Sequence, residues 1–155
     1  MEVSIHVEGL DRIERGTEAA RKAISEELAK AMQASMLRVE REAKQSILNG
    51  QKSGRLYKFG NVFHRASAPG EAPASNTGRL VNSIRGRVDT SALKQGRLEG
   101  TVSVNVSYGR PLEFGTSKMA ARPFLFPALE KSKEWIRERL NKAVRDGVIR
   151  VVKNK

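Results

Sequence analysis

Apolar and polar residues alternate from Met1 to Glu8, with Val3, Ile5 and Val7 on one side of the pattern. A period of two predicts a strand over residues 2–8, broken by Gly9. From residue 10 to 48 the period lengthens. Ala20, Ile24, Leu28, Ala31, Ser35, Val39, Ala43 and Ile47 recur at helical spacing. This predicts one long helix, or a helix interrupted once near Gly16 with Thr17 capping the second segment. The stripe is mostly small, so a neighbouring helix or sheet can approach it closely. Glu18–Lys22, Glu26–Lys30 and Glu40–Lys44 are each four apart and support the solvent face. Gly50 ends the helix.

Residues 50–77 carry no clear period and are rich in Gly, Ser, Ala, Pro and Asn, with an aromatic patch at Tyr57, Phe59 and Phe63. The expectation is a long extended loop, mobile in the free chain and ordered when it docks on a partner. Residues 77–84 predict a short helix capped by Asn76 or Thr77. Ile84–Asp89 and Leu98–Val106 predict two strands joined through Ser91–Gly96, and residues 108–114 a helical turn. A last helix is expected from near Pro123 to about Arg145, with Leu129, Ser132, Ile136, Leu140 and Ala143 as its stripe and Trp135 and Val144 flanking it. Gly147 ends it, leaving 148–155 as a short strand or a frayed tail. The expected fold is α+β in a single domain over 1–155. Its long N-terminal helix and C-terminal helix pack on a small antiparallel sheet.

Composition narrows the picture. The 155 residues are one domain's worth, and 39% hydrophobic against 30% charged residues implies a modest core. No run approaches the ~18 apolar residues of a membrane span, and the N-terminus lacks the pattern of a signal peptide, so a cytoplasmic location is expected. With no cysteine, thiol catalysis and zinc–thiolate sites are excluded. His6 alternates with strand polar residues and His64 sits beside Arg65, so both read as polar surface rather than metal ligands. No cofactor is expected.

The formal charge is +12, and it is uneven. Residues 49–87 hold Lys52, Arg55, Lys58, Arg65, Arg79, Arg85 and Arg87 against Glu71 alone. Such a stretch can contact phosphates without sequence preference, pair with an acidic protein neighbour, or serve solubility. Catalytic patterns are missing: there is no nucleophile elbow, phosphate loop or zinc-binding helix. Glu71, Asp89 and Glu113 are the acids outside the helices and edge strands, and nothing in their spacing pairs them as hydrolysis would require. An enzyme is not expected.

The most constrained stretch is 108–129. It holds three prolines, two glycines, three phenylalanines and the single acid Glu113. Glu113 lies between Leu112 and Phe114, and Arg122 follows just before Pro123-Phe124. The two charges read as an ion pair or inter-subunit contact fixing this connection, with ordinary surface charges as the other reading.

Leu112-Glu113-Phe114-Gly115-Thr116 followed by Ala121-Arg122-Pro123-Phe124-Leu125-Phe126-Pro127-Ala128-Leu129 resembles the signature of the small neck, or head–tail joining, proteins of long-tailed phages and prophages. Ala68-Pro69-Gly70-Glu71-Ala72-Pro73-Ala74 and Thr77-Gly78-Arg79-Leu80-Val81-Asn82-Ser83-Ile84 fit the same family. The resemblance covers 54–130 well and the helical ends by general pattern. It implies a non-enzymatic structural protein that forms a ring of its own copies around a DNA channel. The implied partners are adjacent head-closure and tail proteins, with non-specific contact to packaged DNA and no membrane. The implied location is the host cytoplasm during assembly, then the virion neck or tail. The layer stays open between neck ring, tail terminator and tail-completion factor.

On this reading the assembly-interface residues are Glu113, Phe114, Arg122, Phe124, Phe126, Tyr57, Phe59 and Phe63. Lys52, Arg55, Lys58 and Arg65 would face the DNA channel or an acidic partner. The rival class is a small basic, non-catalytic DNA-binding protein. It would need a recognition element such as a helix-turn-helix or a basic ribbon, and the sequence reading places the basic residues in a loop instead. A toxin or nuclease would need acid and histidine clusters that the chain lacks.

Overall fold

Two helices of about thirty residues account for most of the chain's regular structure. The computed structural model describes residues 1–9 and 18–153. In chain order the elements are β1 (Glu2–Val7), α1 (Glu18–Asn49), β2 (Leu56–Phe59), β3 (Val62–Arg65), α2 (Arg79–Ser83), β4 (Ile84–Asp89), β5 (Leu98–Val104), α3 (Gly109–Phe114) and α4 (Leu125–Lys153). A 3-10 turn at Leu93–Gln95 joins β4 to β5. β1, β5 and β4 form one sheet in that order, and β2 and β3 form a separate ribbon. Val104 N donates to Met1 O at 2.8 Å, while His6 near the other end of β1 lies 3.8 Å from Glu99 at the start of β5. The two strands therefore run antiparallel. The fold is α+β, with long N- and C-terminal helices on a small antiparallel sheet, as expected. Gly16 and Thr17, the expected interruption and cap, and Lys155 lie outside the described residues.

The chain divides into two compact units, each threaded by parts of α1, α4 and the sheet. One comprises Ser4–Arg38, Gly86–Thr101 and Ser132–Lys155. Its core takes Ile24, Leu28, Met32 and Met36 from α1, Leu98 from β5, and Ile136 and Ala143 from α4. The expected α1 stripe is buried from Ile24 onward, with Ala20 half-buried, but Met32 and Met36 are buried too. The rows 24-28-32-36 and 28-31-35-39 both face inward, so the buried face is wider than one stripe. Ser35 stays satisfied by donating to Ala31 O at 2.8 Å. Arg38 lies over the Trp135 ring at 4.8 Å.

Within this unit the end of α4 departs from the sequence reading. Gly147 does not stop the helix, and residues 148–152 continue it rather than forming a strand or tail. The reason is packing. A Cβ on buried Gly147 would stand 2.6 Å from Ile24 Cα, so the glycine permits close approach of α1 and α4. Arg150 Nη1 then reaches Glu26 Oε2 at 2.9 Å and ties down the turn beyond it. Glu26 is consequently not the partner of Lys30, which pairs with Glu27 at 2.9 Å. The expected Glu40–Lys44 pair, in the other unit, forms at 2.5 Å.

The other unit comprises Met1–Val3, Val39–Arg85 and Val102–Lys131. Its core includes Val39, Ala43, Ile47, Val81, Ile84, Val102, Val104 and Phe124. Here the expected extended loop at 50–77 is corrected in its middle, while 50–55 and 66–77 carry no regular element. β2 and β3 pair in register Leu56↔Arg65, Tyr57↔His64, Lys58↔Phe63 and Phe59↔Val62. Two residues, Gly60-Asn61, close the ribbon, and Gly60 sits at φ 60°. Such a dipeptide between β-forming runs is a two-residue hairpin signal. The cap of α2 is Gly78 rather than Asn76 or Thr77, although Thr77 Oγ1 accepts from Arg79 N at 3.4 Å.

Candidate functional site

The constrained stretch around Glu113 is a wired junction between α3 and α4. Glu113 is 4% exposed. Its Oε2 accepts from Phe124 N at 2.8 Å and Leu125 N at 3.0 Å, and its Oε1 accepts from Phe126 N at 2.8 Å. These amides open α4 and have no partner inside the helix. A carboxylate there satisfies three donors with charge-assisted bonds and complements the positive end of the helix dipole. α3 exists to hold that side chain. Pro111 occupies its first turn, where the missing N–H costs nothing, and Gly115 closes it. Gly115 sits at φ 77°, its N–H bonded to Pro111 O at 2.9 Å. A Cβ there would meet Met119 O at 2.8 Å, so the turn requires glycine twice over.

Arg122 serves the same junction by another route. Its Nε donates to Ser67 Oγ at 2.9 Å, its Nη2 to Ser67 O at 3.3 Å, and its Nη1 to Ala120 O at 3.2 Å. Its main-chain N–H donates to Leu112 O at 2.7 Å. The expected Glu113–Arg122 ion pair is therefore not what forms. The carboxylate holds the helix start, and the guanidinium clamps the Ser67 segment against the turn.

Glu71, to which sequence reasoning gave no role, organises the strip leading into that segment. It accepts from Ser53 N at 2.9 Å, Ser53 Oγ at 2.6 Å and Ala68 N at 2.8 Å. Those bonds, first the Ser53 hydroxyl and then the two amides, lower its pKa from 4.5 to about 2, and the Lys52 ammonium adds to the effect. Gly70 N donates to Ala121 O at 2.9 Å. The motifs at 68–74, 77–84, 112–116 and 121–129 thus all fall in one unit, and hydrogen bonds join 68–74 to 121–129 and 112–116 to 121–129. Their sequence cost is explained by the local geometry they build.

The candidate residues sort by exposure. Phe124 is fully buried and belongs to the core, as does Glu113, so neither is itself an interface residue. Both stand where the chain turns inward at the start of α4. Phe114 and Phe126, flanking them, are 63% and 53% exposed. Tyr57 and Phe63 on the ribbon are 47% and 64% exposed, beside exposed Leu56 and Val62. The side chain of Phe59 is outside the described part.

Among the cations, Arg55, Lys58 and Arg65 are exposed. Arg65 Nη1 donates to Gly54 O at 3.2 Å, which stiffens the ribbon base. Lys52 is half-buried. Its Nζ donates to Ser46 O at 3.1 Å near the end of α1, and partial burial lowers its pKa against the opposing pull of Glu71. Glu71, Asp89 and Glu113 each have main-chain partners of their own. Glu71 and Glu113 hold main-chain amides as described, and Asp89 accepts from Ser91 N at 2.8 Å. Among the described residues no group of three or more histidines and acids is placed to hold a metal, and no helix is long and apolar enough to cross a membrane. Comparison with protein-family models, with curated proteins and with solved structures finds no match.

Proposed function

We propose that this chain is a non-catalytic structural subunit of a tailed-phage particle, a neck or tail-completion component at the head–tail junction. It joins copies of itself into a closed oligomer and meets adjacent head-closure and tail proteins. The resemblance of residues 54–130 to neck proteins supports the class. The observation that carries the assembly reading is the pair Phe114 and Phe126. Two phenylalanines more than half exposed flank one buried carboxylate: Phe114 follows Glu113 directly at the end of α3, and Phe126 donates its main-chain N–H to Glu113 Oε1 at 2.8 Å. Rigid aromatic anchors presented to solvent are what protein interfaces use at their centres, since little entropy is lost when they dock. A ring subunit needs such a patch to meet a different surface of its neighbour.

The test is oligomer formation by purified protein, with Phe114→Ser and Phe126→Ser as variants and imaging of intact particles alongside. The reading expects a concentration-dependent oligomer that either variant weakens without lowering the melting temperature. A strict monomer absent from particles would remove it.

A further inference from the structure

Apart from any assembly role, we infer that the β2–β3 ribbon is a binding element for duplex DNA, with Arg55, Lys58 and Arg65 on phosphates and Phe63 and Leu56 against the groove. The sequence reading held a free DNA-binding protein as the rival class and found no recognition element for it, because the cations read as part of a loop. Lys58 and Arg65 lie on a two-stranded ribbon instead, and Arg55 directly precedes it. Its register puts Leu56, Lys58, Phe63 and Arg65 on one face, so cations and apolar groups alternate across it. Residues 50–70 contain four cations and no acid. The acid that follows, Glu71, is engaged by Ser53 and Ala68.

The ribbon is also the right size. Four residues per strand span about 13 Å, and two strands lie about 5 Å apart before side chains are added. The major groove, about 12 Å wide, admits a two-stranded ribbon. An isolated two-stranded hairpin is marginal in water. This one leaves Leu56, Tyr57, Val62 and Phe63 between 47% and 64% exposed, so a partner surface would stabilise it. The occupant must be strongly anionic and must also offer apolar or stacking surface. A second copy of this chain fits poorly, because each copy carries a formal +12. Duplex DNA supplies phosphates for the cations, and base edges and sugars for the apolar groups. No base-reading pattern is present on the ribbon, so binding is expected to be independent of sequence.

The experiment is fluorescence anisotropy of the full chain with a labelled random-sequence 30-bp duplex from 50 to 200 mM NaCl. The variant Arg55→Gln/Lys58→Gln/Arg65→Gln is compared with Arg137→Gln/Arg139→Gln/Arg145→Gln, which removes the same charge from exposed positions on α4. Three phosphate contacts contribute a slope of about −2.7 in log K against log salt, or roughly 40-fold in affinity over that range. The ribbon variant should lose that part of the slope, bind at least about tenfold more weakly at 100 mM and keep its melting temperature. The α4 variant should retain most of the affinity.

Equal losses in both variants would make the binding a property of net charge and overturn the assignment. Tighter binding to a single strand than to duplex would also overturn it, as would competition by polyglutamate matching that of DNA of equal charge, which would point to an acidic protein. Oligomer mass is read on the same samples. If the ribbon variant still assembles but the wild type does not bind DNA, this inference fails and the assembly reading stands. If DNA binding depends on the ribbon in a chain that never assembles, the reverse holds.

Discussion

Glu113 shows how much one side chain can decide. Replacing it with alanine leaves three amides at the start of α4 without acceptors, two of them buried and one partly so, a cost on the order of 3 kcal/mol. In a domain of this size that lowers the melting temperature by about 6–12 °C. Glu113→Ala is therefore expected to act on stability first and assembly second, and a thermal melt of the purified variant checks it. An unchanged melting temperature would mean that water replaces the carboxylate. Arg122→Ala removes hydrogen bonds to Ser67 and Ala120 at a partly exposed site, and should cost only about 1–2 kcal/mol. Glu71 makes a pH prediction. Its carboxyl titrates lower in the fold than its ordinary 4.5, so its contribution is complete above that value and disappears as pH falls toward 2. Protection of the Ser53 and Ala68 amides from hydrogen exchange should fall across that window, and Glu71→Gln should abolish the pH dependence.

At the scale of elements, periodic segments were legible in the sequence and the irregular ones were not. The strand at 2–7, the long helix, the β4–β5 hairpin and the turn at 109–114 all follow from period and turn chemistry. The ribbon was missed because its two strands are only four residues each, too short to show alternation, and because its Gly-Asn turn sits in a Gly/Pro-rich setting that reads as loop. Gly147 was misread because a glycine that ends a helix and one that admits a neighbouring helix look alike in one dimension. The two roles separate on substitution. Gly147→Ala gains about 1 kcal/mol of helix propensity, but its Cβ meets Ile24 backbone, which cannot give way. Overpacking of this kind costs about 1–3 kcal/mol, so a net loss of stability is expected in a denaturant melt. A gain would show that the helices separate freely.

For the whole molecule, the candidate site was half legible. The sequence located the constrained stretch and its two charges, but paired them with each other. Only the fold reveals that Glu113 turns to the α4 amides and Arg122 to Ser67, since both partners are set by main-chain geometry rather than by residue type. The same geometry separates Phe124, which fills the core, from Phe114 and Phe126, which do not. The exposed pair Phe114 and Phe126 is thus proposed to serve self-assembly. Sedimentation velocity of the purified chain across concentration tests it most directly. A discrete closed species at a multiple of 17.2 kDa is expected to grow with concentration and to be lost in Phe114→Ser/Phe126→Ser with the fold intact. A 17.2 kDa monomer at every concentration, identical in wild type and variant, would contradict it.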